Sequence, residues 1–239
     1  MVTRRAATIV AGLSLAVGLA AGATGAVLTG KPVSPADRGA IEAIVRDYIL
    51  THPEILPEAM ERLHDKELLS IINTNRKTLE TPFAGAWAGA KDGDVVLVEF
   101  TDYACGFCRR TVPDIERLLA EDKKLKVVWR ELPIIGPSSE PAARIALAAA
   151  KRGTYAKVHQ TLFAGQLTDA KIATAAQAAG VTAADGRTPD IEAELGSNMA
   201  LAQALRVNGT PAFVIGDRML SGALGYDALK AAVAEARAR

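Results

Sequence analysis

Two cysteines stand at positions 105 and 108, and they are the only two in the 239 residues. The stretch Cys105-Gly106-Phe107-Cys108 follows an apolar, strand-like run, Val95 to Phe100, and opens a segment with helical spacing. A chain stapled by structural disulfides carries more cysteines at wider spacings. Two thiols separated by two residues at the start of a helix can instead form a small, readily exchanged disulfide. The pair is only half of a typical zinc site, and His52, His64 and His159 are scattered without ligand spacing, as surface or packing residues would be. The expected chemistry is therefore redox exchange at the thiols, with no metal and no organic cofactor.

With a helix starting at the first cysteine, the Cys105 sulfur lies beside unpaired amides at the positive helix end, which favours its thiolate. Cys108, one turn further in, is expected to be more buried and to act as the resolving thiol. Stabilising the reduced thiolate makes the disulfide a stronger oxidant. Gly106 and Phe107 bring no histidine to help, so a less extreme oxidant is expected here. Arg109 and Arg110 read first as a solvated face and second as a source of positive field. Glu99 sits in the apolar strand just before the motif. Strand alternation could point it to solvent, but the favoured reading is a buried carboxyl with a raised pKa that relays a proton to or from Cys108.

The second signature is Asn208-Gly209-Thr210-Pro211, directly before the apolar run Ala212 to Ile215. A proline at a strand start is either an ordinary turn proline or a cis-proline. With a redox pair upstream the cis form is the better reading. It would set the Thr210 backbone beside Cys105, ready to pair with an extended substrate segment by strand addition.

These residues need elements to position them. Val95 to Phe100, a helix after the motif carrying Val112, Ile115, Leu118 and Leu119 with Pro113 as a kink, and the strand Leu125 to Leu132 make a β-α-β unit. Pro133 to Pro141 is a turn-rich loop in which Ser138 or Ser139 can cap the next helix. Helical runs over Ala142–Ala150, Tyr155–Phe163, Asp169–Ala179 and Pro189–Leu205 form an insertion at about 138–205, separated by Gly165, Gly180 and Gly186. Strand character returns at Ala212 to Ile215, Gly216-Asp217 turns a hairpin into Arg218 to Leu220, and a helix over Tyr226–Ala238 follows. The expected class is α/β: a thioredoxin fold with a helical insertion over 84–239, preceded by an N-terminal helical arm. That arm, within 31–80, comprises two helices broken at Pro53, with a stripe of Ile41, Ile44, Val45, Tyr48 and Ile49 continued by Leu56, Met60 and Leu63. It packs either on its own domain or against another subunit. Thr81 to Asp94, rich in glycine and alanine, reads as a connection.

Composition sets the compartment and excludes some partners. The chain is 49% apolar with net charge +1, and no aromatic-interleaved basic patch points to nucleic acid. Arg4 and Arg5 precede an uncharged run, Ala6 to Gly30, with Ala-x-Ala-like sites near Ala21 and Ala23. Residues 1–30 thus read as a secretory signal peptide, the rival being a membrane anchor, because the run reaches the roughly 20 residues that span a bilayer. Export puts the thiols where disulfides persist, which in a bacterium is the periplasm.

VEFTDYACGFCRR, LPIIGPSSEPAARIALAA and VNGTPAFVIG resemble the DsbA family of thioredoxin-fold proteins, especially its ScsC-like and Com1-like branch. The likeness runs from about Val95 onward and extends to the helical arm. It implies that Cys105 is the attacking cysteine, Cys108 its resolving partner, Thr210-Pro211 the cis-proline pair and Glu99 the buried acid. It further implies substrates that are cysteine-containing exported proteins, a DsbB-like or DsbD-like membrane redox partner, and a homo-oligomer built through the arm. The sequence departs from the classical oxidase pattern at Gly106-Phe107, where proline–histidine is usual, and at Thr210, where valine is usual. Oxidase, isomerase and reductase directions therefore stay open. The competing class is a thioredoxin-fold chaperone or a copper-binding module, since thiolates suit Cu(I).

Overall fold

The computed structural model describes residues 34–239, so the signal or anchor read at 1–30 lies outside the described residues. The chain divides into two compact units, Met1–Pro53 and Glu54–Arg239. In the first, α1 (Pro35–Thr51) starts at Ser34, whose hydroxyl accepts from the Asp37 amide at 3.2 Å. It leaves Ile41, Ile44, Val45, Tyr48 and Leu50 exposed. Among the described residues no helix is long and apolar enough to cross a membrane.

The second unit is built on a five-stranded sheet in the order β1-β3-β2-β4-β5. Its strands are β1 (Trp87–Gly89), β2 (Val95–Thr101), β3 (Leu125–Glu131), β4 (Ala212–Ile215) and β5 (Arg218–Ser221). Of its neighbouring strands β2 and β3 run parallel, joined through α3 (Gly106–Glu121), and the other pairs are antiparallel. The central strands are apolar on both faces because helices cover both. Leu97, Val127, Trp129 and Phe213 turn toward α3, α4 (Ser139–Lys151), α5 (Tyr155–Phe163) and α8 (Tyr226–Arg237). Val98, Phe100, Val128 and Val214 turn toward α2 (Ile55–Glu80) and α7 (Pro189–Ala204). Each such side chain taken fully from water contributes about 1.5–3 kcal/mol.

α2 is two-faced along its length as well as around it. Its first half leaves Ile55, Leu56, Met60 and Leu63 exposed, whereas Leu68, Ile72 and Leu79 are buried against the sheet layer. Between β3 and β4, α4 to α7, with α6 at Asp169–Ala179, supply the inserted helices. α4 is rich in alanine on every side. Ala142, Ala143 and all of Ile145 to Ala150 are buried, and side chains this small let neighbouring helices approach closely.

Two local expectations need correction. The connection expected at Thr81 to Asp94 contains β1, which pairs antiparallel with β3, Trp87 opposite Val128. Three residues are too few to show alternation. The strand stops at Gly89, whose φ is +91°, and a Cβ there would lie 2.3 Å from the Leu125 carbonyl oxygen. At α4, the Ser138 side chain makes no capping bond; Ser139 Oγ instead accepts from the Gly136 amide at 3.1 Å, closing the loop that precedes the helix.

Candidate functional site

The sheet delivers the motif at the end of β2. Asp102 is buried there, and its carboxylate accepts from the amides of Ala104 at 2.8 Å, Ile134 at 2.8 Å and Ile135 at 2.9 Å. One side chain thus fixes both the turn into α3 and the loop after β3. Cys105 is the N-cap of α3, in extended conformation, and its Sγ accepts from the Cys108 amide at 3.5 Å. Both cysteines are free thiols, and the Cys105 thiol donates to the Thr210 carbonyl at 3.1 Å. The Thr210-Pro211 bond is cis. The structure therefore brings together residues 105 positions apart, in the juxtaposition expected from the two motifs.

Gly106 and Phe107 form the first turn, and Phe107 is 56% exposed. The Arg110 guanidinium lies 4.2 Å over its ring, while Arg109 donates to the Gly165 carbonyl at 2.8 Å. The two arginines are thus engaged locally rather than simply solvated. Beside the motif opens a groove of about 530 Å³ lined by His64, Phe107, Arg206, Thr210, Pro211 and Met219.

Beneath the motif the side chains are buried. Cys108 is fully buried, and burial pushes its thiol well up, with the neighbouring Glu99 carboxylate acting the same way. Among the described residues the buried Thr210 hydroxyl makes no hydrogen bond of normal geometry, and its nearness to Cys108 opposes that rise. Glu99, only 2% exposed, accepts from Trp129 Nε1 at 2.9 Å and from Thr111 Oγ1 at 3.3 Å. Burial raises its pKa to about 8, against the lowering effect of those two bonds. The single hydroxyl proton of Thr111, one turn beyond Cys108, is shared between Glu99 and the Cys108 carbonyl at 2.7 Å, which ties Glu99 to Cys108.

An expected result follows from the sign of that shift. Unfolded glutamate releases its proton near 4.5 and folded Glu99 near 8, so between those values the native state binds more protons and stability falls as pH rises. Glu99→Gln is expected to raise the unfolding free energy above pH 8 by about 2–4 kcal/mol and to leave it unchanged below about pH 4.5. Urea unfolding at both ends of this window checks it. The amide can keep the Trp129 bond through its oxygen and donate to Thr111.

A polar cluster behind Glu99 carries no signature in the sequence motifs. Tyr103 and Tyr155 both donate to Glu131 Oε1, at 2.9 and 2.7 Å, and Tyr103 is 3.1 Å from His159 Nδ1. His159 lies 4.6 Å from the Trp129 ring, and its burial lowers its pKa to about 3. Of the two roles expected for this histidine, surface and packing, it has the second. The signal that could have found the cluster is Arg130-Glu131, two charges inside a strand with apolar neighbours on both faces.

A thioredoxin-type sheet that presents a Cys-x-x-Cys at a helix N-terminus opposite a cis Thr-Pro, with helices inserted between its halves, defines a thiol–disulfide oxidoreductase. Residues 96–234 match the family model described as DSBA-like thioredoxin domain, and the chain belongs to that family. Residues 37–67 match the copper resistance protein ScsC N-terminal domain. Among solved structures, a linker-deletion variant of ScsC from Proteus mirabilis is 31% identical with TM-score 0.71, covering 88% of this chain and 99% of that one. A thioredoxin-like oxidoreductase from Silicibacter pomeroyi is 37% identical with TM-score 0.65, over 69% and 99%. A periplasmic thioredoxin-like protein from Salmonella enterica serovar Typhimurium is 33% identical with TM-score 0.63, over 70% and 98%. Curated relatives include a Na(+)/H(+) antiporter NhaA 3 from Salinispora tropica, 30% identical over 62% of this chain. The match covers 24% of that antiporter, so the chain spans about a quarter of the length of the curated relatives it matches.

Proposed function

We propose that this oxidoreductase works in the periplasm on exported proteins, forming or rearranging their disulfides through a mixed disulfide at Cys105. The observation that carries the reading is the placement of Cys105 Sγ between the α3 N-terminus and the Thr210 carbonyl, at the edge of an open groove. A substrate segment lying along Thr210-Pro211 brings its sulfur to Cys105. In the oxidising direction the substrate thiolate attacks Cys105 of the Cys105–Cys108 disulfide, and the electron pair leaves on Cys108, which takes a proton from Glu99. In the reverse direction Cys108 gives its proton to Glu99 and its sulfur displaces the substrate thiolate. A DsbB-like membrane partner would reoxidise the pair for an oxidase, and a DsbD-like one would reduce it for an isomerase.

Refolding of scrambled ribonuclease is the test. Wild type is expected to restore activity and Cys105→Ser to fall to the uncatalysed rate. Full activity in the variant would favour the chaperone or copper module instead. The redox state of the pair in cells then gives direction: an oxidised pool marks an oxidase, a reduced pool an isomerase.

The exposed stripes on α1 and on the first half of α2 support assembly into a homo-oligomer, the arrangement that lets several redox sites hold one substrate. Deleting 35–63 is expected to give a folded monomer, because Leu68, Ile72 and Leu79 stay in place. Light scattering checks it, and an unchanged mass removes the arm from the interface.

A further inference from the structure

Glu131 has no part in the exchange steps, yet it is fully buried at the end of β3. Its Oε1 receives two phenol hydroxyls, while its Oε2 is buried with no partner among the described residues. In the parallel ladder Glu99 is opposite Trp129 and Thr101 is opposite Glu131. Glu99 and Glu131 therefore lie on the same face of adjacent strands, two residues out of register, with backbones about 8 Å apart from strand spacing and rise.

We propose that Glu131 is a positioning residue for the thiol chemistry: with Glu99 it forms a buried pair of carboxyls that resist ionising together, and so governs how readily Glu99 takes the proton of Cys108. This rests on the exchange role assigned to Glu99 and the cysteine pair. Among the described residues, the groups facing Glu131 are Asp102 and Tyr103 from the turn into α3, Glu99 and Thr101 from β2, and Tyr155 and His159 from α5. Asn198 of α7 donates to its backbone carbonyl at 3.2 Å. None of these is a cation, because burial keeps His159 neutral. The guanidinium of Arg130 is engaged by α2 and α7, on the other side of the sheet. Two carboxylates in such surroundings repel, and burial raises both Glu99 and Glu131 to about 8. The Glu99 carboxylate acts on Glu131 in this way alongside Asp102, and the repulsion is mutual, so a charge on Glu131, received by the two phenols, disfavours ionisation of Glu99.

The step at issue is resolution. The Cys108 proton passes to Glu99, the Cys108 sulfur bonds to Cys105, and the Cys105–substrate bond breaks with its electron pair on the departing thiolate. A mixed disulfide of Cys105 with thionitrobenzoate reports it by the absorbance of the released thiolate, followed against pH. Wild type is expected to show a rise governed by Glu99, lost in Glu99→Gln. Glu131→Gln is expected to move that rise to lower pH by about one unit, raising the release rate near neutrality by roughly five- to tenfold. Tyr155→Phe, which removes one donor to Glu131 and conserves shape, should shift it the same way by less, and stands in if Glu131→Gln does not fold. A rise that stays in place in both variants, with or without a uniform change of rate, overturns the inference while the role of Glu99 stands. Release that ignores pH in wild type, or is untouched by Glu99→Gln, overturns the Glu99 reading and the inference with it.

Discussion

Cys108→Ser is expected to turn the protein into a trap that accumulates substrate-linked species through Cys105. Cys105 is the nearer of the two thiols to solvent, at 5% exposure against none for Cys108. It retains its bond geometry in the variant, because the Cys108 amide, not its side chain, meets the Cys105 sulfur. What is lost is the intramolecular thiol. Well-oriented internal nucleophiles reach effective molarities of about 10⁵ M or more, which millimolar solution thiols cannot match. The lifetime of the mixed disulfide should rise by at least about a thousandfold. A serine hydroxyl does not substitute, since it is a far weaker nucleophile at neutral pH without a base dedicated to it. Non-reducing electrophoresis of exported proteins should show adducts with Cys108→Ser and none with the double variant Cys105→Ser, Cys108→Ser. Absence of adducts from the single variant would contradict the assignment of Cys105 as the attacking residue.

The largest effect on stability is expected at Arg130. Its side chain is 2% exposed and closes the C-terminus of α2, donating to the carbonyls of Leu79 at 3.0 Å and Thr81 at 2.6 Å and also to that of Thr78. Nη1 reaches Glu194 at 2.7 Å and Asn198 at 3.4 Å on α7. A cation at a helix C-terminus meets the negative end of the dipole and the last unpaired carbonyls together. Arg130→Met fills similar volume but strands those carbonyls and leaves Glu194 without its partner, at a cost of about 3–5 kcal/mol. Arg130→Lys should recover little, since one ammonium cannot reproduce a planar fork. Denaturant unfolding measures the loss. Hydrogen exchange should place it in α2 and α7; a loss below about 1 kcal/mol would show that water replaces the fork.

The motif, the Thr-Pro pair and the order of elements are legible in the sequence because each leaves a local mark: two cysteines at fixed spacing, a proline before a strand, periodicities of two and 3.6. Glu99 is legible from its apolar strand. The cluster behind it is not, since Tyr103, Glu131, Tyr155 and His159 come from a turn, a strand and a helix, and meet only once the sheet is formed. Each looks like an ordinary side chain of its own segment. β1 escapes for a different reason. Trp87–Gly89 carries no alternation, and it is strand because β3 offers an unpaired edge, which is a tertiary fact. Arg130 and Glu131 sit in a run whose β character is plain, and two charges there signal burial, but nothing local tells which side chains meet them. Their facing opposite sides of the sheet explains how two adjacent charges are both accommodated.

The rims of the sheet have a consequence for the company this protein keeps. β1 has three residues and β5 four, so the free backbone at either margin is brief. β5 begins with an exposed, charged Arg218. Under the function proposed above, the protein meets many segments seeking an edge to extend, and long bare strands would recruit them into aggregates. With such short margins, the proposed capture of segments is directed to the groove beside Cys105, where the proposed exchange also releases them.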